Sequence, residues 1–219
     1  DDFAQYILHA LNLVEHKSYS ENIALDLWTV VPPGFPLLLS SIIYWSGINF
    51  KILKFLNIVC WALTALAGYF LAVRRMRPRT AAVFTVWLLS VPFFFFFKQN
   101  VLSDIPFLCF VSLSIWAFTK AEEKSVPLLY GVAAVLMGYA VMIRWAGLAL
   151  FLAAVLHMCI NGKRKEALGF AGAALVSAGI VVSFGSSAAG HFGSTQYNLH
   201  TWAYAVWMNI AFIPTVILD

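Results

Sequence analysis

The chain has 219 residues, of which 62% are hydrophobic and only 11% charged, and its mean hydropathy is +0.83. Soluble domains carry about 25% charged residues, so this composition excludes a soluble domain and marks an integral membrane protein. The net charge of +4 comes from basic residues clustered in loops without interleaved aromatics, which excludes a nucleic-acid-binding surface.

Apolar residues come in runs of about 16 to 22 between short charged loops, the length a helix needs to cross roughly 30 Å of hydrocarbon. The ten-residue alternation of an outer-membrane barrel is absent. The abrupt start at Asp1 reads as an interior cut rather than a signal peptide.

The first element is amphipathic. Phe3, Tyr6, Ile7, Ala10, Leu11 and Val14 repeat at helical spacing, while Gln5, His9, Asn12 and His16 occupy the other face. It opens on Asp1 and Asp2, acids that a helix N-terminus favours as caps. Tyr19 to Val31 is polar enough for an outward loop, and Pro32-Pro33-Gly34-Phe35-Pro36 stiffens the backbone and starts a second helix. From Pro36 to Trp45 that helix has only ten residues. At 1.5 Å per residue it reaches about 15 Å, too short to span, so it lies in the interface, where Tyr44 and Trp45 fit; Gly47 ends it.

The spans follow: Ile52 to Val73, Ala81 to Phe97, Ile105 to Phe118, Val126 to Ile143, Ala146 to Ile160 and Ala167 to Phe184, with a further one within Trp202 to Leu218. Loop charge alternates between them. Arg74, Arg75, Arg77 and Arg79, then Lys120 and Lys124, then Lys163, Arg164 and Lys165 place nine of the fourteen basic residues on one side, which the positive-inside rule makes cytoplasmic. Asp1, Asp2, Asp104 and Arg144 then share the outer face. The expected fold is all-α, a polytopic transmembrane helical bundle with juxtamembrane interfacial helices. Residues 1–50 form an extracytoplasmic loop with two such helices, 51–184 the transmembrane module, and 185–219 an extracytoplasmic loop with a further helix.

Few other side chains suggest chemistry. Cys60, Cys109 and Cys159 fall in apolar spans without metal or disulfide spacing and read as packing residues. His157 reads as a packed or snorkelling residue, and His191 and His200 lie in an outer loop that suits a lid. GxSxG, HExxH, a Walker loop and a dinucleotide fingerprint are all absent, which argues against soluble nucleotide-sugar chemistry.

Asp104 in LSDIP fits a helix start, with Ser103 before it and Pro106 after it. Arg144 interrupts an apolar run, where a charge is costly enough to call for a partner. Its guanidinium suits a phosphate, and snorkelling to the headgroups is the alternative. A partly desolvated carboxylate at the interface is suited to deprotonate an acceptor hydroxyl.

Five segments carry a family resemblance: DDFAQYILHALNL (Asp1 to Leu13), VPPGFPLLLSSIIYWSGIN (Val31 to Asn49), LAVRRMRP (Leu71 to Pro78), NVLSDIPF (Asn100 to Phe107) and MIRWAGLAL (Met142 to Leu150). In this order, with this topology, the chain resembles the GT-C superfamily of polyprenyl-phosphate-sugar-dependent glycosyltransferases, especially relatives of protein mannosyltransferase and aminoarabinose transferase. The family's first transmembrane helix and its C-terminal domain are missing from these residues, so a fragment is expected. The family's Asp-Glu pair stands here as Asp1-Asp2, which leaves open which of the two is catalytic.

The resemblance implies transfer of a sugar from a polyprenyl-phosphate donor to a hydroxyl, amine or lipid acceptor at the extracytoplasmic face. The acceptor is a lipid, a glycan or a protein. Asp2, four residues before Tyr6 as in the family's acidic-x-x-x-Tyr spacing, is the expected base, with Asp1 orienting it and Asp104 assisting. Arg144 and, with weaker support, Lys98 are expected at the donor phosphate, and Tyr6 at the substrate. A divalent ion between Asp2 and Asp104 is the expected cofactor if there is one. His9 reads either as an acceptor or metal contact or as a solvated interfacial residue, the blander option. The rival readings are a transporter or flippase for lipid-linked or amphipathic substrates, against which no internal repeat is found, and a non-catalytic membrane scaffold.

Overall fold

A computed structural model describes residues 2–15, 32–91 and 101–188; the side chains of Asp2 and of residues 181–188 lie outside the description. Asp1, His16, Lys98, His191, His200, the outward loop up to Val31, the end of the second span and the C-terminal span are likewise outside the described residues.

Among the described residues all regular structure is helical: α1 (Asp2–Val14), α2 (Gly34–Ser46), α3 (Phe50–Ala72), α4 (Pro78–Leu89), α5 (Asp104–Lys124), α6 (Pro127–Ile143), α7 (Gly147–Ile160) and α8 (Arg164–Ala188). Several helices begin or end where sequence chemistry directs. Pro33 precedes α2 and Pro36 sits in its first turn, where a missing N–H costs nothing; the first intrahelical bond runs from Leu37 N to Pro33 O at 3.0 Å. Gly47 closes α2 with φ +64°, as its place in the sequence predicts. Asn49 caps α3 by accepting from Lys51 N at 3.1 Å. Pro78 and Pro127 open α4 and α6 at the first position.

Among the described residues two helices, α3 and α5, are long and apolar enough to cross a membrane. The most apolar stretch of α3 is only 17% buried against the rest of the chain, and Phe55, Ile58, Leu63, Leu66 and Phe70 stand exposed along it. A soluble core helix would hide such side chains; here they form a surface for lipid.

The centre of the bundle is α6, which packs on α5, α7, α8 and α2. Its buried face includes the small residues Ala133, Ala134, Gly138 and Ala140, which let backbones approach closely where water provides no hydrophobic drive. At Gly138 a Cβ would fall 2.4 Å from the carbonyl oxygen of Ala174 on α8. Serines bind the helices through main-chain carbonyls: Ser114 Oγ on α5 donates to Ala133 O at 2.7 Å, and Ser177 Oγ on α8 donates to Val135 O at 3.1 Å.

The helices alternate in direction, so their loops segregate to two ends. At one end three basic loops are tied to the acids that close α5. Arg74 pairs with Glu123 and also reaches Thr119 O, while Lys120 Nζ lies 3.1 Å from Glu123. Lys163 Nζ meets Glu122 at 2.6 Å, and Tyr130 Oη donates to the same carboxylate at 2.6 Å. At the other end, roughly 30 Å away by the 1.5 Å rise along α5, lie α1, the start of α2, the start of α5 and the end of α6. The loops that charge assigns to opposite faces thus stand at opposite ends of the bundle.

Candidate active site

The far end is assembled around the start of α5. Ser103 precedes the helix but does not cap it with its side chain; its Oγ, buried at 1% exposure, lies 3.0 Å from Tyr6 Oη on α1. Sequence predicts a helix start at Ser103-Asp104, which the structure shows, but the serine's task is tertiary. It joins the acidic N-terminal helix to the acidic start of α5.

Asp104 occupies the first turn of α5, where the helix dipole favours a carboxylate. Arg144 lies in the break between α6 and α7, in extended backbone with φ −149° and ψ 134°. The two side chains form an ion pair through Arg144 Nη1 and Asp104 Oδ1. Helix lengths explain the meeting. α5 descends 21 residues, a turn at Ser125 with φ 52° reverses the chain, and α6 climbs 17 residues. The rise leaves Arg144 about 6 Å short of the level of Asp104, a gap within reach of a long arginine side chain. Exposures of 42% for Arg144 and 30% for Asp104 leave the pair open on one side.

Arg144 therefore does not sit uncompensated at membrane depth. Its N–H bonds Ala140 O at 3.0 Å and its carbonyl accepts from Gly147 N at 2.9 Å. The turn beneath it is tight: a Cβ on Gly147 would stand 2.9 Å from Val141 N.

A second connection fixes the end of α6. Tyr139 Oη donates to Gly34 O at 2.9 Å, its ring stacks on Phe110 at 4.7 Å, and Gly34 lies so close to α6 that a Cβ would meet the carbonyl of Met142 at 2.6 Å. Phe35, fully buried, stands edge-on to Tyr6 at 5.0 Å. The proline-rich turn thus links α1 to the helix end that carries Arg144. Asn57 of α3, also fully buried, donates to Leu102 O at 3.4 Å and supports the segment leading into Ser103.

The structure brings together Tyr6, Asp104 and Arg144 of the expected site residues. Of Asp2 it describes only the backbone, in the first turn of α1, and Asp1 and Lys98 lie outside the described residues. His9 differs from its bland reading as a solvated residue. It is 2% exposed and Asn12 6%, because the part of α1's polar face that carries them is enclosed instead of turned to water. Ser103, Tyr139, Gly34 and Asn57 were not evident as site-building residues. A tyrosine within an apolar span was the available signal, since its hydroxyl needs a partner there.

A divalent ion finds no ready set among the described residues. No three His, Cys, Asp or Glu side chains converge, and Asp104 is engaged by Arg144.

The sequence profile of dolichyl-phosphate-mannose-protein mannosyltransferases matches residues 30–189, from the proline turn through α8. The chain belongs to that family. No curated protein and no solved structure matches the chain. Membership makes this mannosyltransferase-family chain a membrane glycosyltransferase. The matched residues contain both Asp104 and Arg144 and the Gly34 to Tyr139 connection, whereas α1, with Asp2 and Tyr6, precedes them.

Proposed function

We propose that the chain is the catalytic module of a multi-pass glycosyltransferase that moves a sugar from a polyprenyl-phosphate donor to an acceptor hydroxyl at the extracytoplasmic face. The observation that carries this reading is the half-open Asp104–Arg144 pair at the end of the bundle where Tyr6 and Ser103 join the acidic helix α1. Family membership supports a lipid-linked donor, and the concentration of loop cations at the other end supports the orientation.

In this reading the Asp2 carboxylate takes the proton of the acceptor hydroxyl as its oxygen attacks the anomeric carbon. The bond from that carbon to the phosphate oxygen breaks, and its electron pair leaves with polyprenyl phosphate. Arg144 stabilises the charge that develops on the departing phosphate, where a guanidinium offers two parallel donors. Asp104 holds Arg144 until the phosphate arrives and helps place the acceptor. Tyr6 and Ser103 fix the distance between the base-bearing helix and this pair.

The test is sugar transfer from a lipid-phosphate donor in membranes carrying the protein, comparing wild type with Asp2→Asn at equal expression. Transfer is expected to fall to background in the variant; wild-type turnover would remove Asp2 from the role of base.

A further inference from the structure

The end of the bundle opposite the candidate site holds nine cations, Arg74, Arg75, Arg77, Arg79, Lys120, Lys124, Lys163, Arg164 and Lys165, against three carboxylates, Glu122, Glu123 and Glu166. Two of those carboxylates are consumed internally. Glu123 is shared by Arg74 and Lys120, and Glu122 is held by Lys163 and Tyr130. Arg75, Arg77, Arg79, Lys124, Arg164 and Lys165 are all exposed and form no ion pair among the described residues.

These cations border exposed apolar side chains. Met76 lies within the arginine cluster, and Leu128 and Leu168, each 75% exposed, together with Ile160 at 76%, stand beside the other basic loops. Side chains of that kind sit in hydrocarbon, which sets the neighbouring guanidinium and ammonium groups at headgroup depth. A soluble polyanion has no apolar part to cover this rim; a phospholipid supplies an acyl chain for it and a phosphate for the cations. Arginine forks suit phosphate oxygens bidentately, and juxtamembrane basic clusters attract anionic leaflets.

We propose that the Arg75, Arg77 and Arg79 loop, with Arg164 and Lys165 at the same end of the bundle, binds the headgroups of anionic phospholipids of the membrane that holds the chain. The proposal rests on the chain being membrane-embedded and not on its transfer chemistry. The Arg74–Glu123 and Lys163–Glu122 pairs hold the loops in place, so the lipid meets a preformed surface.

The chain in detergent is mixed with equal amounts of phosphatidylglycerol and phosphatidylcholine, and the lipids it retains are counted by native mass spectrometry. Phosphatidylglycerol is expected to be retained in preference, with the preference falling as salt rises. Each cation removed in Arg75→Gln/Arg77→Gln/Arg79→Gln is expected to lower the ratio about fivefold. The Arg164→Gln/Lys165→Gln variant lowers it independently, which keeps the test decisive if the arginine loop variant fails to fold. Lys51→Gln/Lys54→Gln, at the start of α3 on the opposite end, leaves it unchanged. Equal retention of the two lipids, an unaltered ratio in folded variants of the basic loops, or displacement of phosphatidylglycerol by equimolar inorganic phosphate would each overturn the proposal. A chain recovered from washed membranes without detergent would overturn the membrane premise instead.

Discussion

Asp104 and Arg144, 40 residues apart in sequence, pair across the open end of the α5–α6 hairpin. Both side chains remain partly exposed, so an anion can exchange with the carboxylate for the guanidinium without unpacking a helix. A charge that has a partner before substrate arrives is held in position at little cost.

Arg144→Gln should separate activity from stability. Solvent screening at 42% and 30% exposure limits the pair's contribution to folding to about 1 kcal/mol or less. Transfer should nevertheless drop by about a hundredfold or more, the scale seen when a donor to a developing charge is removed. Arg144→Lys should rescue little, because a point charge lacks the planar fork. Thermal unfolding together with steady-state transfer rates checks both halves; transfer that falls only in step with unfolding would assign the pair to structure alone.

Tyr6→Phe and Ser103→Ala remove the two halves of one 3.0 Å contact. Each should destabilise by about 1 kcal/mol, and the double variant should lose little more than either single one. If the contact positions α1 for catalysis, kcat falls in both variants while KM changes little. Additive losses in the double-mutant cycle would show that the two hydroxyls act separately.

Gly34→Ala places a methyl group 2.6 Å from the main-chain carbonyl of Met142, which cannot rotate aside as a side chain can. A destabilisation of about 1–3 kcal/mol is expected, with loss of transfer, because the Tyr139 connection shifts with it. Gly131→Ala, in the same helix as Met142 but with nothing within 4 Å of the new Cβ, should leave stability equal to wild type or raise it by about 0.5–1 kcal/mol. Melting temperatures of the two variants give the contrast directly.

The Lys163–Glu122 tie predicts an alkaline effect. The hydrogen bond to Glu122 first, then that to Tyr130, raise the Lys163 ammonium above its ordinary 10.5. A group whose folded value is raised contributes stability that is fully present below the unfolded value and lost as pH climbs through the folded one. The melting-temperature difference between wild type and Lys163→Met should therefore be constant from neutral pH up to about 10 and shrink above 10.5. A difference that changes between pH 6 and 9 would place its origin elsewhere.

Orientation is open to direct labelling. With the three native cysteines replaced by alanine, Trp45→Cys should react with a membrane-impermeant maleimide in intact cells, and Arg77→Cys should react only after permeabilisation. Trp45 is 86% exposed and Arg77 is exposed, so no other described part of the chain covers either site. The reverse pattern would invert the topology.

Sequence by itself determined the class, the helix order and the separation of ends. Runs of apolar residues long enough for hydrocarbon, prolines at Pro78 and Pro127, and glycine at Gly47 set α-helices and their limits through local backbone chemistry. Loop charge sorted Arg74 to Arg79 and Lys163 to Lys165 away from Asp104 and Arg144, because charge position along a hydrophobic chain depends only on span count. It also set Asp104 and Arg144 on one face, while Tyr6 was named through the family's acidic-x-x-x-Tyr spacing. Tertiary structure alone decided which groups touch. That Ser103 turns to Tyr6 instead of capping α5, that Tyr139 holds Gly34, and that His9 is buried on the face predicted to be wet all depend on how α1, α2 and α6 pack. Periodicity gives the face of one helix, but the partner of that face is fixed by close backbone approach at Gly34 and Gly138, a property of two segments at once that neither segment's sequence carries alone.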